Sequence, residues 1–157
     1  LPVLQREAPG IHIIHQTGER DYNDALAAYG GVGESTEVFK FIEDMPAAFA
    51  RADLVVCRSG ASTVAEIAAA GKPAVFVPFP RAADDHQRVN AEALSKHGAA
   101  VVVEESKLEG VWLAETIAAL LQDPRRLQTM SHAARELSHP NAAHDIAALA
   151  ARVAGIQ

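Results

Sequence analysis

The stretch DLVVCRSGASTVAEIAAAGKPAVFVPFP, residues 53–80, decides the fold. Leu54, Val55, Val56 and Cys57 form a continuous apolar run of the kind that is buried on both faces of a parallel sheet. Arg58, Ser59 and Gly60 turn the chain, and an Ala-rich helix is predicted over residues 61–70, closed by Gly71. Pro73 introduces a second apolar strand over residues 74–77, which ends at Pro78, Phe79 and Pro80. Strand, helix and strand in so short a span read as a βαβ unit, whose crossover is right-handed.

The same alternation continues in both directions. Upstream, an apolar run at 11–15 precedes a helical segment over 21–29 that stops at Gly30 and Gly31. A β-branched and aromatic run at 36–41 is followed by Asp44 as the expected N-cap of a helix over 46–52, with Pro46 in the first turn, where proline is tolerated. Downstream, a polar loop at 81–84 leads to a helix over 85–97, Gly98, and a strand over 99–103. Three more helices are expected, over 108–121, 124–137 and 141–153. Strands alternating with helices of this length predict an α/β fold with a Rossmann-like, doubly wound parallel sheet. No repeat or linker interrupts residues 1–157, so one domain is expected. The opening LPVLQREAPG reads as the tail of an interrupted helix, as expected of a domain excised from a longer protein.

Composition narrows the function. With 49% hydrophobic and 22% charged residues, the chain is neither disordered nor coiled-coil in character. A net charge of −6 disfavours a sequence-independent grip on nucleic acid or anionic lipid. A single cysteine makes no internal disulfide, and no paired Cys/His spacing marks a zinc site, so a cytosolic protein without metal or cofactor is expected. Gly30, Gly31 and Gly33 fall between helix and strand rather than strand and helix, so they fail the dinucleotide fingerprint, and GxxxxGK[ST] and GxSxG are both missing. Cys57 reads as an apolar filler and Trp112 as a packing residue.

In an open α/β sheet, ligands bind beyond the carboxyl ends of the strands, where helix N-termini present free N–H groups. The loop Arg58, Ser59, Gly60, Ala61, Ser62, Thr63 is the strongest candidate, because its small and hydroxyl-bearing residues let a phosphate or sugar approach the backbone. Glu66 shares a helical face with Ser62 and Thr63, and a carboxylate there suits vicinal hydroxyls, as on a ribose. A helix cap with its capping box explains the same residues equally well. At the next strand end, His86, Gln87 and Asn90 follow Asp84 and Asp85, and the two amides, which both donate and accept, suit sugar hydroxyls. Phe41 and Ile42 offer a ring and a backbone edge to a flat base, or else belong to the core. The segment His15, Gln16, Thr17, Gly18 borders the same cleft without distinguishing chemistry.

The string CRSGASTVAEIAAAGKPAVFVPFP, with VFKFIEDM upstream and DDHQRVNAEAL downstream, resembles the donor-binding half of the MurG family of bacterial UDP-N-acetylglucosamine transferases. The resemblance runs from HQTG to the C-terminal helices. It implies the C-terminal domain of a GT-B glycosyltransferase that adds N-acetylglucosamine to lipid I to form lipid II in peptidoglycan synthesis. It further implies an acceptor and membrane-docking domain outside this chain, a proposed base in that domain, no metal, and work at the inner face of the cell membrane. Carried over by motif, Ile42 after Phe41 meets uracil through its main chain, and Glu66 binds the ribose. Ala61, Ser62 and Thr63 then line the diphosphate and sugar, and Gln87 and Asn90 hold the hexose. Another GT-B glycolipid synthase, or a noncatalytic nucleotide-sugar-binding subunit, shares the same donor domain.

Overall fold

A computed structural model describes residues 2–30, 35–81, 83–108 and 110–155. Gly31, Gly33 and Ala82 lie outside them. Eight α-helices and five strands alternate among the described residues: α1 Pro2–Glu7, β1 Ile13–Gln16, α2 Tyr22–Tyr29, β2 Thr36–Phe39, α3 Met45–Arg51, β3 Val55–Cys57, α4 Ala61–Ala70, β4 Ala74–Phe76, α5 His86–Ser95, β5 Ala100–Val102, α6 Gly110–Leu121, α7 Pro124–Glu136 and α8 Ala142–Val153. Every strand pair is parallel. The strands hydrogen-bond in two ladders, β1 with β2 and β3-β4-β5, rather than in one continuous sheet.

The strand β4 is the centre of the larger ladder and is wholly buried. Its alternate residues face two cores. Ala74 and Phe76 pack with Val64, Ile67 and Ala68 of α4 and with Ala91 and Leu94 of α5. Val75 and the following Val77 pack with Leu120 of α6 and Met130 of α7. This two-sided burial is what winds helices onto both faces; the complete burial of Phe76 alone contributes about 1.5–3 kcal/mol. The helix α1 forms a third, smaller core with α6 through Leu4, Ala114 and Ala118.

The helix α4 begins and ends where the sequence places it. Gly71 sits at φ +61° and closes the helix in a Schellman arrangement, its N–H donating to Ala68 and that of Lys72 to Ile67. A Cβ at Gly71 would press on the Arg135 side chain and force it to move, and the positive φ is what favours glycine there. Asp44 caps α3, accepting from the Ala47 N–H at 2.9 Å.

Two expectations are corrected. The run at 54–57 is not buried on both faces: Val56 is 43% exposed, because β3 has β4 on one side and no strand pairs with its other edge among the described residues. Trp112 is 42% exposed rather than packed inside, since α6 turns Ala114, Ala118 and Leu120 inward instead.

Candidate functional site at the carboxyl ends of the strands

The loops that follow β2, β3 and β4 meet the N-terminal ends of α3, α4 and α5, and the site is built from them upward. Gly60 is the N-cap residue of α4, in extended backbone, and no side chain caps the helix. The first N–H groups of α4 are therefore left to whatever approaches from outside. A Cβ at Gly60 would meet only Thr63 Oγ1, at 3.8 Å, so the space over this end is open. Ala61 and Ser62 are exposed, Thr63 half-buried and Glu66 exposed, while Val64, Ile67 and Ala68 of the same helix face the core. The capping-box alternative fails on this geometry: Ser59 does not cap, and Glu66 lies six residues past the N-cap, not three.

Ser59 lies beneath the site, fully buried. Its hydroxyl donates to the Gln87 carbonyl at 2.7 Å, and its own carbonyl accepts from Asn90 Nδ2 at 3.2 Å. Gln87 in turn accepts the Phe79 N–H through Oε1, at 3.0 Å. These three bonds tie the β3–α4 loop, the end of β4 and the first turn of α5 into one unit, with the Gln87 Nε2 group as the remaining donor of that side chain.

Arg58 fastens the same region from the side. Its Nη1 donates to the carbonyls of Val77 and Pro78, each at 3.2 Å, its guanidinium lies 5.5 Å from the centre of the Phe79 ring, and it pairs with Glu105. His86, exposed, opens α5 just after Asp84 and Asp85, at φ +50° and +54°. Two consecutive non-glycine residues in the left-handed region store strain, of order 1 kcal/mol or more each, beside the site.

The third part is the β2–α3 loop. Phe41 is 70% exposed and Ile42 half-buried, so Phe41 is a surface platform rather than core. The Ile42 N–H donates to Gln16 Oε1 at 2.8 Å. Beyond β1, the Thr17 N–H donates to the Phe39 carbonyl at 2.9 Å and the Gly18 N–H to that of Lys40 at 3.1 Å, which continues the ladder into the loop. His15 is engaged elsewhere, its Nδ1 lying 3.1 Å from the Tyr29 hydroxyl. Cys57 ends β3 with its thiol pushed up to about 12 by burial, which leaves it protonated and inert at neutral pH. Among the described residues, no three His, Cys, Asp or Glu groups are placed to hold a metal ion.

Phe41 and Ile42 thus follow β2, Gly60 to Thr63 follow β3 and open α4 with Glu66 one turn further along, and Gln87 and Asn90 open α5, where hydrogen bonds join them to the buried Ser59. Among the described residues, no hydrogen bond ties Phe41 or Ile42 to α4 or α5. The sequence singles out Gln16 only as part of a strand-end segment without distinguishing chemistry, and Arg58 only as the start of the β3–α4 loop; the bonds that engage them, to Ile42 and to Val77 and Pro78, are tertiary.

Residues 1–146 match the glycosyltransferase family 28 C-terminal domain. This chain belongs to that family. A relative from Geobacter sulfurreducens, the UDP-N-acetylglucosamine--N-acetylmuramyl-(pentapeptide) pyrophosphoryl-undecaprenol N-acetylglucosamine transferase, is 48% identical over 146 residues, which cover 93% of this chain and 40% of that protein. The enzyme of the same name from Anaeromyxobacter is 47% identical over 153 residues, covering 98% of this chain and 40% of that one. The crystal structure of Acinetobacter baumannii MurG superposes with a TM-score of 0.82 at 36% identity, covering 94% of the family 28 domain described here and 45% of the MurG chain. The family 28 domain thus has the fold of GT-B glycosyltransferases and spans about two-fifths of the curated relatives it matches.

Proposed function

We propose that this family 28 domain binds UDP-N-acetylglucosamine as the donor half of an inverting transferase, which passes N-acetylglucosamine to lipid I and so forms lipid II. The observation that carries this reading is the uncapped N-terminus of α4, with Ser62 and Glu66 exposed along it, together with the exposed Phe41 after β2. Phe41 and the Ile42 main chain take the uracil, Glu66 takes the ribose hydroxyls, and the start of α4 takes the diphosphate. Gln87, through Nε2, and Asn90 border the hexose.

In the reaction, the 4-hydroxyl of the muramyl sugar attacks the anomeric carbon while the bond from that carbon to the diphosphate oxygen breaks on the opposite face. Charge builds on the departing diphosphate, and preorganised helix N-terminal amides stabilise it as it develops. The proton of the attacking hydroxyl goes to a base that we place on the acceptor half, with Glu66 committed to the ribose. That half also supplies the membrane contact, placing the whole protein at the cytoplasmic face of the cell membrane, in cell-wall synthesis and with it cell shape and division.

Calorimetry with UDP and 2′-deoxy-UDP tests the assignment. Glu66→Ala is expected to weaken UDP roughly tenfold to a hundredfold, the range for hydrogen bonds to a charged group, and to weaken the deoxy ligand by less. Equal losses for both ligands refute the ribose role. The domain by itself is expected to bind UDP-N-acetylglucosamine without transferring the sugar, and turnover by it alone would overturn the placement of the base on the acceptor half.

A further inference from the structure

We propose that Gln16 is a placeholder for the nucleobase: its amide oxygen holds the Ile42 N–H until a base that presents a carbonyl takes its place. The inference rests on the donor-domain reading and adds to it a residue that governs base affinity. A terminal carboxamide carries an acceptor oxygen and a donor N–H on one planar carbon, the same pairing edge as the C4 carbonyl and N3–H of uracil. The Gln16 amide oxygen lies 2.8 Å from the Ile42 nitrogen, next to Phe41, which is 70% exposed.

The geometry makes the exchange local. Gln16 is exposed, so its side chain has room to leave. Everything around it is pinned: Thr17 and Gly18 by their bonds to the Phe39 and Lys40 carbonyls, the Thr17 hydroxyl by the Gly18 carbonyl at 2.8 Å, and the far end of the loop by the Asp44 cap. On this proposal a rotation of the Gln16 side chain is all that the exchange requires. The Ile42 donor is satisfied before and after, so uracil gains the site by replacing one hydrogen bond with another. Cytosine brings an amino group to the same place, sets donor against donor, and offers the Ile42 N–H no acceptor.

The sign of the effect separates a placeholder from a support. Gln16→Ala removes the competitor and is expected to tighten UDP about threefold, within the range of one net hydrogen bond. Gln16→Glu keeps an acceptor and charges it, holds the N–H more firmly, and is expected to weaken UDP severalfold. Calorimetry on the 157-residue chain measures both, with CDP as the control, and melting curves confirm folding of each variant. Amide hydrogen exchange at Ile42 supplies the second readout: protected in the wild type, fast in empty Gln16→Ala, and protected again when UDP saturates that variant. Unchanged or weaker UDP binding by Gln16→Ala, or an Ile42 amide that UDP fails to protect, overturns the proposal. A wild-type chain that binds UDP no better than CDP shows instead that the base-edge reading itself is wrong, whatever the variants do.

Discussion

Cys57 marks the boundary between packing and chemistry at the end of β3. Its burial raises the thiol from an ordinary 9.0 to about 12. The folded chain therefore keeps a proton that the unfolded chain releases, so the stability tied to the neutral thiol is intact below about pH 9 and is lost as pH rises toward 12. Cys57→Ala removes that loss. Urea midpoints measured across this window are expected to fall less steeply for the variant than for the wild type, and parallel curves would show that the thiol does not titrate late. The inert role of this thiol is legible locally, because a cysteine closing an apolar run is a small hydrophobe first. Ser59, two residues on, was not legible in the same way. A serine in a tight loop reads as a ligand contact or a cap, and which way its hydroxyl points depends on Gln87, a partner 28 residues away.

At the scale of elements, Ser59 is what holds α5 against the β3–α4 loop. With its hydroxyl fully buried and donating to the Gln87 carbonyl, Ser59→Ala leaves that carbonyl without this donor and is expected to cost about 1–3 kcal/mol of stability, read from chemical denaturation. Ser59→Thr, which keeps the hydroxyl, serves as the control, and an Ala variant as stable as the wild type would mean the staple is idle. The helices themselves were readable from local chemistry. Gly71 and Pro73 punctuate α4 within one residue of its true end, and Asp44 with Pro46 announces α3. The strands are shorter than their apolar runs, and Val56 shows why: an apolar run records that a residue can be buried, whereas a neighbouring element elsewhere in the chain decides whether it is. The spacing of Gln87 and Asn90 correctly put them on one helical turn. That both side chains would spend a group on the protein backbone, at Phe79 and Ser59, is tertiary information.

For the whole molecule, burial is concentrated around β4 and thins toward the C-terminus. The helix α8 has no buried residue, and Ile146, Leu149 and Val153 stand 67%, 49% and 80% exposed along it. Apolar residues at spacings of three and four form a stripe, the pattern of a helix made to be covered, yet little of the domain's own core covers this one. Its contribution to the stability of the chain is correspondingly small. The groups gathered at the strand ends, from Gln16 and Phe41 to Glu66 and Asn90, all precede α8 and share no hydrogen bond with it among the described residues. Removing residues 142–157 is therefore expected to lower the melting temperature by no more than about 4 °C, the shift that roughly 1 kcal/mol produces in a domain of this size, and to leave UDP affinity unchanged. Thermal melts followed by circular dichroism and calorimetry on the truncated chain check both. A fall of ten degrees or more would place α8 in the cooperative core, and a loss of UDP affinity at unchanged melting temperature would show that the helix reaches the nucleotide site.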